Sequence, residues 1–115
     1  MTDATMREPT FLVLTALAAE PRHGYAVIED VQHITGGRIT LRAGTLYAVL
    51  DRLRSDGLIE VDREEVVQSR LRRYYRLTAL GERRLADESA RLRQQLAVAN
   101  RRLRERRARL GDAPA

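Results

Sequence analysis

The chain has 115 residues, of which 43% are hydrophobic and 32% charged, with a net charge of +5 and no cysteine. That length suits one small domain with an appendage, and the hydrophobic share supports one core and excludes a disordered chain. Without cysteine neither a disulfide framework nor a thiolate metal site is available, and no apolar run approaches the ~18 residues of a membrane span, which together fit a cytoplasmic protein.

Every basic side chain other than histidine is arginine, and the sequence pI is about 10.6. Arginine's planar fork holds phosphate in bidentate fashion and reads guanine edges. A coding bias toward arginine explains the absence of lysine equally well, so the distribution decides. Between Ser69 and Arg76 there are four arginines and no acid, an excess that points to an anionic partner.

Residues 1–7 read as a flexible end, with no signal pattern, because Asp3 and Glu8 flank the start and Pro9 interrupts it. Pro9 suits the first turn of a helix. The run TFLVLTALAA, Thr10 to Ala19, then predicts a largely buried helix that Glu20 and Pro21 end. A second helix follows, with Val27, Ile28, Val31 and Ile34 on one face and Gly36–Gly37 as its stop. His23 stands at its start as a cap or packing residue. His33 stands near its end, ten residues on, which is not a metal-ligand spacing on one face. No metal and no cofactor are expected. Ile39 to Arg42 reads as a connector with a stub of strand.

The stretch GTLYAVLDRLRSDGLI, Gly44 to Ile59, predicts a third helix from about Ala43 to Ser55. Leu46, Val49, Leu50 and Leu53 form its inner face, and Gly44, Ala48, Asp51, Arg52 and Ser55 face away, with Tyr47 and Arg54 on one flank. Gly57 stops it. Two helices joined by a short glycine-containing turn make a helix-turn-helix pattern. Leu58–Val67 and Arg70–Leu77 then alternate, which predicts a β-hairpin with its turn near Val67 to Ser69. A turn without Gly or Asn leaves its type open. Thr78 is a good N-cap, and the polar stretch after it carries Leu85, Leu92, Ala99 and Arg106 at intervals of seven, with Leu96, Leu103 and Leu110 on the neighbouring seam. A helix of roughly 45 Å cannot bury that stripe on so small a domain. A second copy can bury it; the alternative is folding back on the first helix. The fold class is therefore mainly α with a small β-hairpin. It consists of a winged helix-turn-helix over residues 8–77, a C-terminal helix over 78–110, and flexible ends at 1–7 and 111–115.

Three stretches, HGYAVIEDV (His23–Val31), GTLYAVLDRLRSDGLIE (Gly44–Glu60) and RRYYRLTALG (Arg72–Gly81), resemble the PadR family of bacterial transcription regulators in order and spacing. The resemblance covers nearly all of the chain from Thr10 onward, and the length resembles the short branch with a single C-terminal dimerisation helix. It implies a homodimeric winged-helix DNA-binding regulator, usually a repressor, with an inverted-repeat operator. Many members respond to small organic molecules, which makes such an effector a further partner. Arg42 and Ala43 stand where family members commonly have Ser-Pro, and Ala48 where a Pro often follows the Tyr.

For duplex DNA as partner, Arg42, Arg70, Arg72, Arg73 and Tyr74 are assigned to phosphate or wing contacts. Thr45 and Tyr47 are assigned to backbone or base edges, and Ala48, Asp51, Arg52 and Ser55 to positions near bases. Arg52 is the candidate for guanine, and the competing reading of Asp51 and Arg52 is a solvated ion pair. Leu85, Leu92, Leu96, Ala99 and Leu103 are assigned to dimerisation. An aromatic content of 4% argues against an effector pocket of stacked rings, which leaves a small apolar cavity between the C-terminal helices and Phe11, Leu14 or Tyr25. No nucleophile–base set, phosphate-binding glycine loop or carboxylate pair is present, so an enzyme is not expected. The competing functions are a winged-helix/coiled-coil protein-interaction module without specific DNA binding, and nonspecific chromatin-like binding.

Overall fold

The computed structural model describes residues 6–111. The ends expected to be flexible lie outside the described residues, except for residues 6, 7 and 111. Helix α1 (Glu8–Ala19) carries Pro9 in its first turn and buries Leu12, Val13, Leu14, Ala16 and Leu17. An apolar surface that wide suits a central helix, and α1 packs against every other helix and against the sheet. After Pro21 the chain forms a short strand, β1 (Arg22–His23), which the sequence pattern does not reveal.

Helix α2 (Gly24–Ile34) starts from His23, whose Nδ1 accepts a hydrogen bond from the Ala26 N–H at 3.4 Å. Val27 and Val31 are fully buried, while Ile34 is exposed. Gly36, at φ +61°, closes the helix: its N–H donates to His33 and that of Gly37 to Gln32. The strand stub expected at residues 39–42 is absent. The hairpin edge at β3 is taken by β1, and the connector drops Leu41 into the core rather than pairing with a strand.

Helix α3 (Ala43–Ser55) lies where the periodicity places it. Leu46, Leu50 and Leu53 are buried and Val49 packs beside them. Gly57, at φ +75°, lets the Leu58 N–H reach Leu53 and the Gly57 N–H reach Arg54, which completes a Schellman closure. Strands β2 (Ile59–Val67) and β3 (Arg70–Leu77) then form the hairpin, and the antiparallel sheet runs β1-β3-β2. Gln68 and Ser69 both have positive φ, at 51° and 64°. Two left-handed residues in a two-residue loop are the signature of a type I′ turn, whose twist matches the strands. The strands impose it here on residues that do not favour it. Val61 pairs with Tyr75 and Arg63 with Tyr74, so Asp62 is the extra residue of a bulge.

Helix α4 (Ala79–Arg109) has 31 residues and is about 46 Å long. The Thr78 hydroxyl accepts from the Gly81 N–H at 3.0 Å and donates to the Gly57 carbonyl at 2.7 Å. No described helix is long and apolar enough to cross a membrane. Gly81 is held by contact rather than by conformation, because a Cβ there would lie 2.0 Å from the Leu58 carbonyl oxygen. Gly81→Ala is therefore expected to cost about 3 kcal/mol, seen as a lowered denaturant midpoint. An unchanged midpoint would mean that the joint between α4 and the hairpin is loose.

Candidate nucleic-acid interface

Burial of Leu46, Leu50 and Leu53 fixes the rotation of α3, so Thr45, Tyr47, Ala48, Asp51, Arg52 and Ser55 are exposed together. Arg42 is exposed at the N-cap, where its side chain makes no capping hydrogen bond. The hairpin stands beside this face. Between them lies an open cleft of about 710 Å³, walled by Tyr47 and Asp51 on one side and Arg70, Leu71, Arg72 and Arg73 on the other. His23, Gly24 and Tyr25, at the start of α2, form its floor and rim.

Five of the residues singled out from sequence thus meet across one cleft: Tyr47, Asp51, Arg70, Arg72 and Arg73. Arg42, Thr45, Ala48, Arg52 and Ser55 are exposed without lining it. Tyr74 lies on the opposite face of β3 from Tyr75, as strand alternation requires. Its ring is covered by the Arg63 guanidinium at 3.8 Å and met edge-on by His23 at 5.3 Å. The sequence placed His23 at a helix cap and Tyr25 at an effector cavity rather than at this cleft, and it did not single out Gly24 or Leu71. A Cβ at Gly24 would lie 2.6 Å from the Tyr47 hydroxyl oxygen, so the exposed Tyr47 ring would have to shift to admit it. Of the residues expected around an effector cavity, Leu14 is fully buried and Phe11 packs against the core, whereas Tyr25 is exposed and lines the cleft.

The charge on the hairpin differs from the linear impression. The carboxylates of β2 face the arginines of β3. Glu64 accepts from Arg73 at 2.9 Å, Glu60 and Asp62 hold Arg76 at 2.7 and 3.1 Å, and Arg63 joins Asp62 to Glu65. Among the described residues, Arg42, Arg52, Arg70 and Arg72 make no ion pair within 4.0 Å. Up to Leu77 the chain has eleven arginines and eleven carboxylates, so the net +5 resides entirely in Thr78 onward. What the winged part offers an anion is a placement of a few open arginines, not a bulk charge.

His23 ties the sheet to α2. Burial, and then the nearby Arg72 charge, lower its pKa from 6.5, which keeps Nδ1 free to cap Ala26. A depressed histidine contributes stability above the unfolded value, and that contribution is lost as pH falls through the folded value. Between about pH 7.5 and about pH 5.5 the melting temperature should fall further for the native chain than for His23→Asn, which retains a cap acceptor. Parallel losses would show that His23 protonation is not linked to folding.

On α4, Leu85 is half-buried against its own domain. Beyond it Leu92, Leu96, Ala99 and Leu103 are exposed, Leu96 by 61%. Glu88 is buried and ion-paired with Arg91 one turn on.

Helices α2 and α3, the hairpin and the cleft between them define a winged helix-turn-helix. The chain belongs to the PadR-like family of transcriptional regulators, whose model matches residues 13–87. It is 30% identical over 76 residues, 66% of this chain and 70% of the other, to an uncharacterized protein of Lysinibacillus sphaericus. A PadR family transcriptional regulator from Eggerthella lenta superposes with a TM-score of 0.65 at 30% identity, over 83% of both chains. Bacillus subtilis PadR, solved in complex with operator DNA, shares the fold with a TM-score of 0.63 at 22% identity, over 70% of this chain and 47% of its own.

Proposed function

We propose that this regulator binds duplex DNA sequence-specifically as a homodimer, with residues 8–77 as the DNA-binding unit and 78–110 as the dimerisation helix. The observation that carries the reading is the cleft, in which the exposed face of α3 stands opposite the open Arg70 and Arg72. The operator complex of Bacillus subtilis PadR supports it through the shared fold. Arg42, Arg70 and Arg72 take phosphates, which supply affinity, while Thr45, Tyr47, Ala48, Asp51, Arg52 and Ser55 enter the major groove, which supplies specificity. The exposed stripe of Leu92, Leu96, Ala99 and Leu103 packs against a second copy. A two-fold dimer requires an inverted-repeat operator. Repression, and release by a small organic effector, complete the reading on the strength of the family.

One observation favours a second reading. A winged domain with no net charge also suits a protein-interaction module, which predicts no preference among DNA sequences.

Fluorescence anisotropy on the chain's own upstream duplex and on a scrambled competitor separates the two. Specific binding predicts a preference of about 1000-fold; equal affinity contradicts it. Arg72→Ala should weaken both duplexes and reduce the salt slope by about one. An unchanged slope would remove Arg72 from the phosphate contacts. Leu92→Glu with Leu96→Glu should give a monomer by sedimentation, and a persisting dimer would remove the stripe from the dimer contact.

A further inference from the structure

We infer that Glu64 is a specificity-determining residue, a built-in competitor that holds Arg73 away from phosphate until the wing is fully docked. The inference rests on the proposed DNA-binding reading and goes beyond it. Glu64 and Arg73 are direct cross-strand partners, joined by an Nε–Oε2 hydrogen bond of 2.9 Å. Arg73 is also in the cleft wall, on the side facing Asp51 and Tyr47. It therefore occupies a place where phosphate contact is expected, yet its charge is already matched.

The pair is suited to exchange. The two side chains are 42% and 43% exposed, and ion pairs at such sites are weak because water screens them. A phosphate held in place by a fully docked protein can displace Glu64. A phosphate passing in a loose, sequence-independent complex meets a neutral pair. The same acid thus leaves the specific complex little affected and withholds one contact from nonspecific ones. Arg76 offers a contrast. Its pairs with Glu60 and Asp62 lie outside the cleft, so breaking them should expose no cation to DNA bound there.

The test compares the native chain, Glu64→Gln and Glu60→Gln on the upstream and scrambled duplexes across a salt series. For Glu64→Gln, affinity for the scrambled duplex should rise about fivefold, the factor for about 1 kcal/mol from one added phosphate contact, whereas the upstream duplex gains only the smaller cost of breaking an exposed pair. The salt slope on that duplex should steepen by about one, the value for one added phosphate contact. The slope on the upstream duplex should stay unchanged, so the ratio of the two affinities falls. Glu60→Gln should behave as the native chain. Equal gains on both duplexes, no gain on either, or the same change in Glu60→Gln would each overturn the inference while leaving DNA binding intact. A native chain that shows no preference between the duplexes would instead overturn the reading beneath it, and the inference with it. Both substitutions are isosteric and on exposed side chains, and a thermal melt checks that folding is retained.

Discussion

Four segments of the protein meet at one joint, where Gly57–Leu58 faces Thr78–Gly81. The Thr78 hydroxyl bridges the Gly57 carbonyl and the Gly81 N–H, and the Thr78 N–H donates to the Leu58 carbonyl at 3.1 Å. Gly81 lies so close to Leu58 that no side chain fits between them. The end of α3, the start of β2, the end of β3 and the start of α4 are thereby fixed to one another by backbone contacts. The rotation of α3, the lean of the hairpin and the departure direction of α4 depend on this joint. Buried leucines then fix which face of α3 looks outward.

Placement matters here because charge is scarce. A winged domain with matched arginines and carboxylates has little long-range pull on a polyanion. In the proposed reading its affinity comes from a few cations in the right positions, and the hairpin leaves them open through its pattern of ion pairs. Arg73 and Arg76 pair with the acids opposite them, Arg70 lies opposite Val67, and Arg72 lies opposite Glu65, whose carboxylate is taken by Arg63. The bulge at Asp62 sets that register. One residue fewer would shift every cross-strand partner beyond it.

Much of the fold was legible in the sequence. The four helices follow from apolar spacing and from the glycines at 36 and 57, and both hairpin strands from alternation. β1 was not legible, because two residues carry no periodicity and pair only when Tyr74 and Tyr75 are in place. The type I′ turn was hidden because Gln68 and Ser69 lack the usual preference for left-handed backbone. The outward face of α3 was legible, because one buried face implies the other. On the hairpin it was only partly so. A count of arginines from Ser69 to Arg76 cannot show the carboxylates that face them, and alternation alone could not show Tyr74 covered by Arg63 and His23. Leu85 was read as part of the dimer stripe and lies against its own domain, because the first two turns of α4 still pack on the core.

The central claim is that two copies present the α3 face and its cleft to DNA together. Hydroxyl-radical footprinting on the upstream duplex tests it most directly. The account predicts two protected segments on one face of the duplex, related by two-fold symmetry, with centres one helical turn or a multiple of about 34 Å apart. A single protected segment, or protection without symmetry, would contradict it.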